Sequence, residues 1–550
     1  MAGLAPVRYW RQLAGVSLDR GAWRGDTSAI PLSLRVWWRA VTIMAVDFER
    51  EIQRYLVDLF SVKVVDEKGR LRKDLYVREK GKRVLPQFGG FIGPSAAYLA
   101  LTPFEGNRHH GNEQLLQLAL DAGERLLIDH AYITPQTKPN HFQIYPLAQL
   151  YGLMGDLAGT ARLARWRETM ARNLKATDAL IDRAWENLGK PGPWAGTGPN
   201  HYFGWFAVGY QQAQLLGEHA LAKKIEKAML RHLKVQAAGG YFPEHIGPAT
   251  GYQHVSLAGL AEFHRQDPKP ATLEGLKRGV RFLVRAMYPD LRGIETFDER
   301  NRLGAKKGSG FQHALLWTPE GRNVFARGLV NVRQELAKGS RGNSLGFGIW
   351  DLYGVGAAYR CLAHAAATRG LRVAAQVPID RKEFAWRLED KGLVRKQGPW
   401  FYAMSAWAHE VEQGNPYHLE RTQALSIYHE AMGLIVGGGN DKRAYRNATI
   451  HILEGTDCHY FPALAAKLRV GAAPKVLSGR GACDRIEFDY GSVRADLEVR
   501  ADSPKRLRVG LAVWTSQTQP QIWLVLQLPV RAPFALRNGR QSLVLQKAAE

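Results

Sequence analysis

The chain has 550 residues, 45% hydrophobic and 23% charged, with three cysteines. That is too long for one ordinary core and too apolar for disorder, so two or three domains are expected. Its 75 Lys and Arg against 51 Asp and Glu leave a formal charge of +24, which admits nucleic acid, an anionic membrane or an acidic polysaccharide as partner. Cys361, Cys458 and Cys483 are odd in number and far apart, which excludes a disulfide scaffold, a zinc ribbon and a C-x-x-C redox site. No stretch offers the ~18 uncharged apolar residues of a membrane span, and MAGLAPVRYWRQLAGVSLDRGAW holds no signal h-region. As it stands the sequence reads as cytoplasmic, or as periplasmic or secreted if a leader has been removed.

In chain order, helical patches lie around Arg35 to Leu59. The segment KVVDEKGRLRKDLYVREKGKRV follows, and its alternating charges read as an exposed hairpin or solvated face. From about Asn112 to Ala367 apolar residues recur at i, i+3 and i+4, as in LLQLALDAGERLLIDHA and EHALAKKIEKAMLRHLKVQ. Loops rich in Gly, Pro, Asn, His and aromatics separate these helices. Successive landmarks Asn140, Asn200, Tyr252, Asn301 and Asn343 are 60, 52, 49 and 42 residues apart, about the length of two antiparallel helices with their turns. The loops therefore recur on one rim of a helical array, and the uneven spacing favours a closed toroid over an open solenoid. Beyond about Val377 the pattern turns to period 2 with β-branched and aromatic residues, as in GPWFYAMSAWAHEV and DRIEFDYGSVRADLEVR. The expected fold is α+β multidomain: an N-terminal (α/α) toroid, an incomplete barrel of helical hairpins, over 1–376, then a C-terminal antiparallel β-sandwich over 377–550.

The sharpest cluster is Pro199-Asn200-His201-Tyr202-Phe203-Gly204-Trp205, at the start of an apolar helix. Asn200 reads either as an N-cap or, with His201 beside it at a positively polarised helix end, as part of a carboxylate-binding and proton-transfer site. One hairpin on, Tyr241-Phe242-Pro243-Glu244 leads to Ala249-Thr250-Gly251-Tyr252-Gln253-His254, with Tyr252 either facing the rim or packing in the helix. A third loop, Glu295 to Arg302, mixes both charge signs and runs on to His313. Asn140-His141 and Asn343 complete the rim, each also readable as a cap. Trp194, Tyr202, Trp205 and Phe242 are candidate sugar platforms, or core aromatics.

An α/α toroid followed by a β-sandwich, with Asn200-His201 opening one inner helix and Ala249-Thr250-Gly251-Tyr252 resembling a Gly-x-Gly-Tyr segment one hairpin later, is similar to polysaccharide lyases of the heparinase II/III and alginate-lyase type. Ala249 replaces the first glycine of that pattern. The resemblance covers roughly Arg35 onward and implies β-elimination next to a uronic acid: neutralising the sugar carboxylate eases removal of the C5 proton. It implies Asn200 as the carboxylate-neutralising group, with Arg300 or Arg302 as a bidentate clamp. Tyr252 would be acid to the leaving oxygen, and also a candidate base; His201 would be base from the other face. His254 and His141 stand behind them, with Asn140, Tyr202, Trp205, Glu244 and His313 as further substrate contacts.

In the C-terminal half, His409-Glu410, Asn415-Pro416-Tyr417-His418 and Tyr428-His429-Glu430 match no standard zinc spacing. Tyr417 and His418 are expected to wall the cleft. No cofactor is expected, with a structural zinc or calcium as the lesser alternative. The expected partner is an acidic polysaccharide or oligosaccharide, not nucleic acid or membrane, and a homodimer is allowed. One rival is an inverting glycoside hydrolase pairing Glu244 with Asp298 or Glu295, which needs carboxyls about 6.5–9.5 Å apart. The other is a non-enzymatic helical scaffold that binds polyanions.

Overall fold

The computed structural model describes residues 46–131, 141–187, 198–244, 247–298, 311–337, 349–407, 423–437, 449–453, 463–478, 481–491, 493–515, 521–524, 534–538 and 541–545. Eleven helices follow in order among the described residues: α1 (Phe48–Lys63), α2 (Gly93–Leu101), α3 (Glu113–Asp129), α4 (His141–Met154), α5 (Thr160–Asn187), α6 (Gly198–Leu216), α7 (His219–Leu233), α8 (Thr250–Gln266), α9 (Pro270–Arg285), α10 (Pro319–Ala337) and α11 (Ile349–Ala367). Between α1 and α2 the charged segment forms the short exposed hairpin β1 (Val77–Glu79) and β2 (Lys82–Val84), as its alternating charges suggested.

The helices make two concentric layers. Helix α2 packs on α4, α4 on α6, α6 on α8, α8 on the 3-10 turn His313–Trp317, that turn on α11, and α11 back on α2. The toroid is thus closed by contact yet incomplete as a barrel, because one of its six inner positions is a single short turn. Sequence explains which helices go inside. Inner helix α6, GPNHYFGWFAVGYQQAQLL, carries no Lys, Arg, Asp or Glu and can be enclosed on all sides. Outer helix α7 buries Ala222, Ile225, Ala228 and Met229 on one stripe and turns its lysines outward.

Helices α6 and α8 are the closest-packed inner pair. A Cβ at Gly259 would lie 2.5 Å from the Phe203 carbonyl carbon, so glycine is what lets the two backbones touch there. Further along, Gln266 Nε2 donates to the Ala207 carbonyl at 3.4 Å. Later residues of α6 thus meet later residues of α8, so the helices run parallel and both begin on the same rim.

The C-terminal strands form a five-stranded meander, β3 (Glu383–Leu388), β4 (Gly392–Gln397), β5 (Trp400–Ser405), β6 (Leu425–His429) and β7 (Gly433–Val436). Against it lies a four-stranded antiparallel sheet of β8 (Ala465–Ala472), β9 (Cys483–Asp489), β10 (Val493–Ser503) and β11 (Arg506–Thr515). Alternation sorts the residues of β5. Trp400, Tyr402 and Met404 join the core between the sheets, whereas Phe401 and Ala403 join the core of the helical ring. Burial on both faces is why WFYAMS reads as nearly continuous apolar sequence. Tyr428 stacks on Tyr288 of the helical part at 5.3 Å, and its neighbour His429 faces Trp400 at 4.6 Å, the opposite-face arrangement expected from alternation. A buried ion pair ties the two sheets: Arg395 Nε and Nη2 donate to Asp484 at 2.5 and 2.9 Å, and Tyr402 donates to the same carboxylate at 2.8 Å.

Candidate active site

Asn200 is the third residue of α6, so it lies inside the first turn rather than capping it. This corrects the N-cap alternative. Its side chain is buried, with Nδ2 donating to Glu244 Oε2 at 2.5 Å. Glu244 belongs to the segment 241–244, which bridges the starts of both inner helices. Phe242 packs edge-on against Phe203 of α6 at 4.7 Å, while its backbone N–H donates to Gln253 Oε1 of α8 at 2.8 Å. Tyr252, half-buried, precedes Gln253 in the first turn of α8, and His201, also half-buried, follows Asn200 in the first turn of α6. Asn200, His201 and Tyr252 therefore share one rim, braced by one short segment. Ala249 sits at the N-cap of α8 with φ −141°, extended backbone that needs no glycine, which accounts for the departure from Gly-x-Gly-Tyr.

The aromatic platforms are corrected. Tyr202 is only 7% exposed and packs on Phe206 and edge-on against His232; burial pushes its phenol up. Trp205, 6% exposed, backs His201 in a stacked contact at 5.4 Å. Phe242 is buried as well. These rings hold the rim in place and do not offer open faces to a sugar. His254 is half-buried, and loss of hydration pushes its imidazole down to about 4. It is neutral at neutral pH and supplies no cation.

The acids of the hydrolase alternative each have a structural task. Glu244 holds Asn200. Asp298 accepts from Thr250 Oγ1 at 2.9 Å and from Gly251 N at 2.6 Å, acting from another loop as the cap of α8. Glu295 is buried at the seam with the sandwich, where loss of hydration raises its carboxyl to about 7 against hydrogen bonds from Tyr288 and Ser426.

His313 is corrected too: at 3% exposure it is no rim contact but part of a buried group with Glu262 and His364, the only three-residue set of possible metal ligands among the described residues. Trp317 Nε1–H donates to His364 Nδ1 at 2.9 Å. The indole can only donate, so Nδ1 holds the lone pair and Nε2 carries the hydrogen that His364 gives Glu262 at 2.9 Å. Burial raises the Glu262 carboxyl, but Arg265 at 2.5 Å and His364 outweigh it and hold it well below the usual range. Burial also pushes His364 down. These partners fit a hydrogen-bond chain between α8, the 3-10 turn and α11, since a metal would need the Nε2 lone pair.

Asn140, Arg300, Arg302, Tyr417 and His418 lie outside the described residues, as do Trp194, Asn301, Asn343, His409 and Glu410; His141 opens α4, with its side chain undescribed. Of the cysteines, Cys361 and Cys483 are buried free thiols. No helix of the described residues is long and apolar enough to cross a membrane. What sequence reasoning missed is Gln253, whose amide ties the bridging segment to α8. The signal was its place beside Tyr252.

No protein-family model matches the chain, and no curated protein matches it in sequence. Among solved structures it is similar to the chondroitin AC lyase of Streptomyces coelicolor A3, at 13% identity and a TM-score of 0.40 over 85% of this chain and 69% of that one. It is similar to a heparinase III at 13% identity and a TM-score of 0.43, over 84% of this chain and 70% of that one. An unsaturated glucuronyl hydrolase specific for heparin is similar at 14% identity and a TM-score of 0.35, over 60% of this chain and 97% of that one. Likeness at this level does not assign an activity, which has to come from the side chains.

Proposed function

We propose that this chain is a polysaccharide lyase that cleaves a uronic-acid-containing poly- or oligosaccharide by β-elimination, leaving a 4,5-unsaturated uronate end. The observation that carries the reading is the meeting of Asn200, His201 and Tyr252 in the first turns of two touching parallel helices, braced by the 241–244 segment. Asn200 has two amide hydrogens; one holds Glu244, and the proposal assigns the other to a sugar carboxylate that reaches the start of α6. The N-terminal end of α6 adds partial positive charge there. Neutralising that carboxylate lets the electrons left by the departing C5 proton spread into it, which lowers the barrier to proton removal. His201 takes the C5 proton and Tyr252 donates to the C4 oxygen as that bond breaks. Arg300 and Arg302 remain the proposed carboxylate clamp, and Tyr417 and His418 a proposed wall of the cleft.

The hydrolase alternative is weaker because Glu244 is engaged with Asn200, Asp298 caps α8, and Glu295, its other possible partner, is buried at the seam with the sandwich. The test is a screen of chondroitin, heparin or heparan, hyaluronan, alginate, pectate and glucuronans for new ultraviolet absorbance. Tyr252→Phe and His201→Ala are expected to lower the rate of product formation by about 10²–10⁴-fold with melting temperature little changed. Folded variants with full activity, or reducing ends appearing without ultraviolet absorbance, would sink the proposal.

A further inference from the structure

Away from the catalytic rim, a cavity of about 370 Å³ opens where α9 meets the turn of the β3–β4 hairpin, lined by Arg278, Arg281, Arg285, Trp386, Arg387 and Glu389 among others. Its volume falls in the range of small-ligand sites. Arg278, Arg281 and Arg285 are spaced i, i+3 and i+7, so they share one face of α9. Arg387 adds a fourth guanidinium from β3.

The charge in this cavity is unbalanced. Glu274 and Glu389 also line it, but among the described residues none of the four arginines is within ion-pair distance of a carboxylate. Glu389 is engaged elsewhere, accepting from Gly239 N at 3.3 Å and Tyr241 Oη at 3.2 Å. Arg278 Nη2 donates to the Ala237 carbonyl at 2.6 Å, which fixes one guanidinium toward the cavity wall. Arg285 lies over the Trp386 ring at 5.8 Å; its pKa is lowered by burial and by the neighbouring charges of Arg281 and Arg381, against the opposing charge of Glu320. Clustering like charges costs free energy that an anion would return.

The cavity is also joined to the rim. Gly240, at φ +92°, presses the 237–241 loop onto α9, where a Cβ would meet the Arg278 carbonyl oxygen at 2.4 Å; four residues later the same loop holds Asn200 through Glu244. Trp386 packs against Phe297, and the next residue, Asp298, caps the helix that carries Tyr252.

We propose that this cavity is an accessory subsite for an anionic sugar unit, its sulfate or carboxylate bound by Arg281, Arg285 and Arg387 and its ring set against Trp386. Guanidinium forks suit planar or tetrahedral oxyanions, and an indole face suits a pyranose. A short, half-open cavity with one aromatic wall, about 370 Å³ in volume, favours a single saccharide unit over the extended phosphate track of a nucleic acid. The inference rests on the lyase reading only for the kind of saccharide.

The test uses the full chain labelled with 5-fluorotryptophan, with Trp386→Phe assigning the Trp386 fluorine resonance. Chondroitin sulfate hexasaccharide, an unsulfated hexauronate, cellohexaose and a 12-nucleotide RNA are titrated in turn. The Trp386 resonance should shift with the two acidic hexasaccharides and not with cellohexaose. Arg281→Ser/Arg387→Ser, both exposed positions, should raise the midpoint at least about tenfold with melting temperature unchanged. A resonance that does not move with either acidic hexasaccharide, a midpoint indifferent to the arginines, or tighter arginine-dependent binding of the RNA would each overturn the subsite. Arginine-dependent saccharide binding in a protein that yields no unsaturated product would retain the subsite and reject the lyase reading. Elimination with arginine-independent binding would do the reverse.

Discussion

At Asn200 the proposed mechanism divides a single amide between structure and chemistry. One hydrogen is held by Glu244 and fixes the plane of the side chain, so in that mechanism a sugar carboxylate would meet a donor that needs no reorientation. The histidines nearby divide by environment. His201, half-buried and stacked on Trp205, keeps contact with the rim, whereas His254 is held neutral by loss of hydration, down to about 4. Because its folded pKa lies below the unfolded value near 6.5, the unfolded chain binds the extra proton between the two. The stability tied to a neutral His254 is full above about 6.5 and is lost as pH falls toward about 4. Melting curves from pH 7 to 4 should show a shallower decline for His254→Gln than for the native chain.

At the scale of elements, α8 is the piece on which the site depends. Its N-terminus has no cap of its own: Ala249 offers no side-chain acceptor, and Asp298 supplies one from a loop 47 residues beyond Gly251. Asp298→Ala is expected to cost about 0.5–2 kcal/mol in stability and to loosen the turn that carries Tyr252. Urea unfolding would read the first effect. The second would appear as a fall in kcat larger than any change in KM. The far end of α8 is held by Glu262 to His364 and Trp317, so the helix is fastened at both ends to elements distant in sequence. Helix α9 shows how a pattern can carry two messages. LKRGVRFLVR reads as an ordinary amphipathic helix, yet Arg278, Arg281 and Arg285 share one side of it, and only the approach of Trp386 and Arg387 turns that side into one wall of a cavity.

Across the whole molecule, the sandwich serves partly as a lid on the helical ring, since one face of its five-stranded sheet lies in the ring's own core. Glu295 sits in that seam, and its carboxyl, raised to about 7, keeps in the folded state a proton that the unfolded chain releases near 4.5. Its contribution is full below about 4.5 and is lost as pH rises to about 7. Relative to Glu295→Gln, the native chain should lose melting temperature over pH 5–7 and level off above. Between the two sheets, Asp484→Ala would remove the carboxylate shared by half-buried Arg395 and buried Tyr402 and is expected to cost about 1–3 kcal/mol, read as a lower urea midpoint for the sandwich.

Much of this architecture is legible in the sequence because periodicity is local. Runs such as EHALAKKIEKAMLRHL and DRIEFDY fix helix or strand by the spacing of their own apolar residues, and charge-free α6 already reads as an enclosed helix. The pairing of Asn200, His201 and Tyr252 was legible as well, since loops one hairpin apart in a toroid return to the same rim. Which aromatic faces outward was not, because Tyr202 and Trp205 have the composition of a sugar platform and the surroundings of a core. Nor could sequence show that Asp298 caps α8, that His313 is buried against His364, or that the α9 arginines meet Trp386. Each depends on contacts between residues far apart in the chain, and burial, hydrogen-bond partners and charge balance are properties of those contacts.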